Sequence, residues 1–198
     1  MRISHKHKFI FIATPKTGST SIRYLLNEFS DIKSKDGGIY RHHTTYAEAL
    51  KHFDFAKDYT CFAFARNPWD RCVSNWYYMQ RVKTGTGNFS EKCKNILKKY
   101  SSFKDYIMDG SMHTRFPCFN WLSSDGVHVD IDYACKMENI QEDFDAVCDK
   151  IGIPRQTIPH KNITTHKHYT EYYDDEAREI VEEKYARDIE YFGYKFGE

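Results

Sequence analysis

No stretch of this 198-residue sequence is apolar for long enough to cross a bilayer. The N-terminal apolar run, Phe9 to Ala13, is interrupted by Pro15 and Gly18, whereas a spanning helix needs about 20 apolar residues and a secretory leader a core of roughly 7–15. Neither a membrane span nor a leader is expected. Net charge is also nearly absent, since 29 Lys and Arg stand against 28 Asp and Glu. No global field therefore marks nucleic acid or an anionic membrane as the main partner, and any anion site must be local. Cysteine pairs at ligand spacing are missing too. Cys61, Cys72, Cys93, Cys118, Cys135 and Cys148 are scattered without a C-x-x-C, which excludes the usual zinc patterns and points to reduced thiols in a cytoplasm. The ten histidines include the close pairs His5/His7, His42/His43 and His166/His168, but none lies in an H-E-x-x-H helix, so no metal site is expected.

What is present is alternation of strand and helix signals without an internal repeat, in a length that suits one domain over residues 1–198. Lys8–Ala13 reads as a strand, the following turn as a loop, and Ser19–Phe29 as a helix with Ile22, Leu25, Leu26 and Phe29 on one face. A second such unit follows, with a strand over Tyr59–Ala65 and a helix from Pro68 or Trp69 through Tyr78; Pro68 suits a first helical turn because its missing N–H would have no partner there. Thr45-x-x-Glu48 is a capping box before a short helix, with His42 and His43 in the loop ahead of it. Gly85–Gly87 reads as a loop and Glu91–Tyr106 as one or two helices, whose lysines (Lys92, Lys94, Lys98, Lys99) suit a solvated face. A strand over Val127–Met137, a helix over Asn139–Ile151 closed by Gly152, a loop over His160–His168 and a last helix over Asp174–Asp188 complete the expectation. The pattern predicts an α/β domain with a mainly parallel central sheet flanked by helices.

Thr14-Pro15-Lys16-Thr17-Gly18-Ser19-Thr20-Ser21 carries the first chemical signal. A strand entering a glycine-containing turn at a helix start converges backbone N–H groups on one point, which suits phosphate or sulfate. Gly18 permits close approach, Ser19 and Thr20 add hydroxyls, and Lys16 offers a cation for charge developing on a leaving oxyanion. A nucleotide kinase would require G-x-x-x-x-G-K-[ST], with lysine after the second glycine; here Lys16 precedes Gly18. The second signal is Ala65-Arg66-Asn67-Pro68-Trp69-Asp70-Arg71-Cys72-Val73-Ser74. There an arginine ends a strand and a serine follows two turns into the next helix, a fork of donors and a hydroxyl for one anion. Arg23, Arg41 and Arg71 are further cations whose usual role is to solvate or pair with acids. Trp69, Trp76, Tyr77 and Tyr78 suit either a core or a stacking surface for a base.

In these two segments the sequence resembles the sulfotransferases that use 3′-phosphoadenosine 5′-phosphosulfate (PAPS), in particular the carbohydrate-type and bacterial branch called sulfotransferase family 2. PKTGST is similar to that family's 5′-phosphosulfate loop, and RNPWDRCVS to its 3′-phosphate motif. The resemblance continues in H-T-T-Y-A-E from His43, in Met137-Glu138-Asn139-Ile140-x-x-Asp143-Phe144, in Pro159-His160-Lys161-Asn162 and in Y-x-x-D-x-x-x-F-G-Y from Tyr185. It is weak between Val82 and Asp125.

The resemblance implies a three-layer P-loop-like fold and transfer of the sulfuryl group to a hydroxyl, releasing 3′,5′-adenosine diphosphate (PAP). It assigns Pro15, Lys16, Thr17, Gly18, Ser19 and Thr20 to the 5′-phosphosulfate, and Arg66 and Ser74 to the 3′-phosphate. The acceptor hydroxyl must lose its proton during attack, and a histidine is suited to take it. His43 matches the family's histidine and is the first choice, with His42 its close rival and Lys16 assisting the leaving group. The acceptor is a sugar, a lipid or a small molecule with a free hydroxyl, carbohydrate being one candidate; the sequence supports neither the membrane anchor nor the cysteine bridges of the family's Golgi members, so their glycan substrates are not carried over, and no metal is required. A phosphotransferase using ATP and magnesium, or a nucleotide-binding module without catalysis, are the alternatives.

Overall fold

The structure is a computed structural model that describes residues 1–33, 43–83, 99–109, 116–159 and 166–198. In chain order its strands are β1 (Arg2–Ser4), β2 (Phe9–Ile12), β3 (Ile32–Lys33), β4 (Thr60–Ala65) and β5 (Tyr133–Lys136). The described helices are α1 (Ser19–Leu25), α2 (Tyr46–His52), α3 (Pro68–Lys83), α4 (Phe103–Asp109), α5 (Phe119–Leu122), α6 (Ile140–Ile151), α7 (Asp175–Lys184) and α8 (Ala186–Phe192). They divide between two compact units, one formed by Met1–Arg66 with Cys118–Asn162, the other by Asn67–Pro117 with Ile163–Glu198.

The first unit holds the whole sheet, in the order β3-β1-β2-β4-β5. β2, β4 and β5 run parallel, with Ile12 opposite Ala63 and Ala63 opposite Ala134, and β1 adds antiparallel pairings to β2 and β3. All four residues of β2 and the last five of β4 are buried. Strands covered on both faces read as continuous apolar runs, which is how KFIFIA and YTCFAFA stand in the sequence. Phe9, Phe11, Phe62 and Phe64 pack with Ile22 and Leu25 of α1 and with Phe144, Val147 and Ile151 of α6. At about 1.5–3 kcal/mol for each large apolar side chain fully buried, this cluster anchors the strand ends that precede the two polar motifs.

Helix boundaries follow local chemistry. Thr45 Oγ1 accepts from the Glu48 backbone at 3.2 Å while Glu48 accepts from the Thr45 backbone at 2.8 Å, so the predicted capping box is formed at the start of α2. α6 ends at Gly152, where φ of 68° is easy only for glycine. α1 is shorter than its apolar pattern: beyond Leu25 the chain tightens, with Asn27 N–H donating to Tyr24 O and Phe29 N–H to Leu26 O.

Other boundaries correct the sequence reading. The strand expected over Val127–Met137 is confined to Tyr133–Lys136. Upstream, Asp125 Oδ1 accepts from Val127 N–H at 2.7 Å and His128 N–H at 2.9 Å, and Asp130 Oδ1 accepts from Ser124 N–H at 3.0 Å. These side chains satisfy the backbone in turns and remove it from the ladder. The single last helix is two, α7 and α8, joined at Tyr185 with φ −110° and ψ 22°. β1 and β3 had no periodic signal; they are three and two residues long, and β3 is defined by its pairing with β1, which lies far away in sequence.

In the second unit α3 begins at Pro68 as expected. Asn67 caps it, accepting from Trp69 N–H at 3.1 Å and Asp70 N–H at 3.3 Å. Trp69 is buried and its indole donates to Arg178 O at 3.2 Å. Trp76 packs on Phe103 and Tyr106, and Tyr77 shares a 2.7 Å hydrogen bond with Tyr172. Trp69 and Trp76 thus serve the core. Gly85–Gly87, Lys92, Lys94, Lys98 and the His160–Thr165 stretch lie outside the described residues. Lys99 pairs with Asp109 at 3.8 Å.

Candidate functional site

β2 delivers the chain into the Thr14–Ser21 loop, whose conformation is set by two left-handed residues, Lys16 (φ 67°) and Gly18 (φ 71°). For Gly18 the requirement is steric as well: a Cβ there would stand 2.9 Å from Ile140 Cδ1. The loop therefore rests on the Met137–Ile140 segment, whose match to the family lies in a stretch far away in sequence. Lys16 has no such excuse, since left-handed backbone costs a residue with a side chain roughly 1–2 kcal/mol. Backbone strain of this kind persists where surrounding contacts hold it, and it concentrates at functional loops.

The loop's side chains divide into two sets. Thr17 is fully buried, and its hydroxyl lies 2.7 Å from Thr14 Oγ1 and 3.1 Å from Thr14 O. It is turned into the protein, so the hydroxyl is committed to internal contacts. Ser21 is likewise committed, donating to Pro159 O at 2.7 Å. Lys16 and Thr20 are half-buried, Pro15 and Ser19 buried. Arg23 reaches back one turn, donating to Ser19 O and to Thr20 Oγ1, each at 3.3 Å, so it braces the helix start.

Arg66, at the end of β4, is half-buried and donates from Nη1 to Lys16 O at 3.4 Å. The second motif's arginine is thereby brought to the first motif's lysine, 50 residues earlier. Ser74 is buried on α3 in the second unit. Arg71 is buried in that same unit, with Nη1 donating to Phe116 O at 3.1 Å and lying 3.9 Å from Asp188. Its role is to close a buried ion pair, and this explains the aspartate in the closing Y-x-x-D-x-x-x-F-G-Y stretch.

His43 is half-buried and stands directly behind the loop, its Nδ1 2.6 Å from Ala13 O. A carbonyl only accepts, so Nδ1 carries the proton and, in the neutral ring, Nε2 is the basic nitrogen. The ring meets Trp121 edge to face, with centroids 6.0 Å apart. Ala13 is three residues before Lys16, which puts the histidine and the lysine at one strand end. His42 and Arg41 lie outside the described residues. Reading from sequence placed Thr14 in the loop without a role and missed the Ala13 carbonyl and Trp121. Trp121 sits in the stretch that resembles the family least, and its buried Nε1 has no acceptor among the described residues. Among those residues no three His, Cys, Asp or Glu side chains gather as a metal-ligand set, and no helix is long and apolar enough to cross a membrane.

Comparisons with known proteins bear on the fold and the family. The chain superimposes on mouse sulfotransferase SULT7A1, crystallised with PAP, with a TM-score of 0.56 over 94% of this chain and 86% of that one at 12% identity. That likeness shows a common fold, the P-loop-like α/β fold of sulfotransferases. A sulfotransferase from Alicyclobacillus acidocaldarius aligns over 96% of this chain and 81% of its own at 17% identity, with a TM-score of 0.36. In sequence, an uncharacterized protein of Archaeoglobus fulgidus is 29% identical over 100 residues, 50% of this chain and 72% of that one. The sequence profile of the Sulfotransferase family matches residues 1–195, and the chain belongs to that family.

Proposed function

We propose that this sulfotransferase takes its sulfuryl group from PAPS and passes it to a hydroxyl of a sugar, lipid or small molecule, with His43 as general base. The observation that carries the reading is the 2.6 Å hydrogen bond from His43 Nδ1 to Ala13 O, which fixes a basic nitrogen beside the loop that holds Lys16. In the reaction the acceptor oxygen attacks sulfur as its proton passes to His43 Nε2. The bond from sulfur to the bridging phosphate oxygen breaks, and its electron pair leaves with PAP. Lys16 stabilises the charge that develops on that oxygen. Pro15 to Thr20 form the 5′ cradle, with Thr17 taking part through its backbone, and Arg66 and Ser74 are assigned to the 3′-phosphate by their match to the family motif. No step calls for a metal. The reading treats residues 1–198 as one sulfotransferase domain in the reducing, cytoplasmic setting expected from the scattered cysteines, of which Cys61, Cys72, Cys118, Cys135 and Cys148 are buried.

Thermal stabilisation by PAP, set beside 5′-AMP and ATP with magnesium, tests the cofactor, since a ligand that binds only the folded state raises stability with its concentration. Selective stabilisation by PAP, lost in Arg66→Ala, is expected. Preference for ATP would replace the reading with phosphoryl transfer, and silence towards all three with a module that has lost its ligand.

A further inference from the structure

We infer that Thr14, which precedes the residues assigned to the cofactor, is a positioning residue that ties the phosphosulfate loop to the strand carrying Arg66; the inference builds on the function proposed above. The backbone pairing of β2 with β4 ends at Ile12 opposite Ala63. Two residues on, Thr14 Oγ1 donates to the carbonyl of Phe64. A threonine hydroxyl has one proton and that carbonyl only accepts, so Thr14 Oγ1 can only accept from Thr17 Oγ1, 2.7 Å away, whose single proton is shared with Thr14 O at 3.1 Å. The result is a directed chain, Thr17 to Thr14 to Phe64, between residues that are all fully buried. It lengthens the β2–β4 connection with side chains where the backbone leaves the sheet to form the loop.

A second tie lies alongside, Arg66 Nη1 to Lys16 O at 3.4 Å. Between the two ties sits Lys16 in its left-handed conformation. The chain through Thr14 holds the loop against β4, and Arg66 holds the carbonyl of the strained residue. Loss of the Thr14 hydroxyl takes the donor from the buried Phe64 carbonyl, and leaving such a group unsatisfied costs about 1–3 kcal/mol, while Thr17 keeps Thr14 O as an acceptor at 3.1 Å. The loop that holds the 5′ group then loosens, while the residues assigned to the 3′-phosphate are untouched.

The test compares wild type, Thr14→Val, Thr14→Ser and Arg66→Ala in titrations with PAP and with 5′-AMP. Thr14→Val should weaken both nucleotides by the same factor, about tenfold at a cost near 1.4 kcal/mol. Thr14→Ser should restore both, and Arg66→Ala should weaken PAP selectively. Hydrogen exchange of the unliganded proteins supplies a readout that needs no ligand: in Thr14→Val, amides of Lys16 to Ser19 should exchange faster while those of β5 do not. If Thr14→Val fails to fold, Thr17→Val, which removes the outer link together with the Thr17 bond to Thr14 O, should show the same changes at smaller size. Unaltered loop exchange, or a loss confined to PAP, would overturn the inference. Wild type that binds neither nucleotide would overturn the cofactor reading instead, and loop exchange would still decide the role of Thr14.

Discussion

In the first unit, the arginine that ends β4 is half-buried and uses one N–H to hold the Lys16 carbonyl. In the second, the arginine five residues later is fully buried, 3.9 Å from a fully buried aspartate and bonded to the Phe116 carbonyl. The two share one short motif and end in opposite surroundings. The difference is one of desolvation. A guanidinium removed from water must find an anion and acceptors of its own, because the penalty for a bare buried charge is several kcal/mol. Arg71 is therefore spent on Asp188, whereas the half-buried Arg66 is the one that, under the proposed function, an arriving phosphate would engage. On that reading the basic residues of one motif divide between binding and building, and burial decides which.

The largest expected effect that would sharpen this contrast lies in the first unit. His43→Asn should lower turnover by about 10²–10⁴, the usual contribution of a positioned acid or base, with PAP affinity kept within a few-fold in the same titrations. The wild-type rate should also fall on acidification, since Nε2 accepts the acceptor's proton only while the ring is neutral, and that dependence should vanish in the variant. Of comparable size but different kind is Asp188→Ala in the second unit. Breaking a buried pair by removing one partner costs roughly 3–5 kcal/mol, read as a lowered denaturation midpoint, and the paired replacement Arg71→Met with Asp188→Leu should regain much of it. A stable Asp188→Ala protein that had lost only PAP binding would break the comparison.

Lys16→Ala comes next. Loss of one group that stabilises a developing oxyanion costs about 10²–10³ in rate, so single-turnover measurements should show that loss with PAP binding nearly intact. Equal loss of binding and rate would place Lys16 with Arg66 as a binding group. The smallest effect belongs to Thr45→Ala, which removes the cap of the helix that follows His43 and should cost about 1 kcal/mol by chemical denaturation. A larger fall in turnover than in stability would extend the site to the start of α2.

Local rules carried the reading furthest where a residue's partners lie nearby. The capping box at Thr45 and Glu48, the first-turn proline of α3 and the glycine that closes α6 all depend on residues within a few positions. The parallel core was legible because β2 and β4 are buried on both faces and so appear as unbroken apolar runs. β1 and β3 were not, since strands of three and two residues have no period to detect. The Val127–Met137 stretch misled because its apolar residues were visible while the aspartates that fold its first part into turns act through side chains. In the site, the spacing of Lys16, Gly18 and Arg66 was readable, but the bond from Thr14 to Phe64 was not, because it depends on a neighbour brought in by the sheet, and neither was the inward turn of Thr17 onto that same Thr14.

Composition, apolar runs and two motifs in order were thus sufficient for the α/β class and for membership of the sulfotransferase family, because strand burial and phosphate loops leave short-range signatures along the chain. Which nitrogen of His43 is basic, which arginine is sealed in the core and how a strained lysine is held are matters of contact between residues 30, 117 and 50 positions apart. Those contacts exist only after packing, and no local pattern in the chain encodes their geometry.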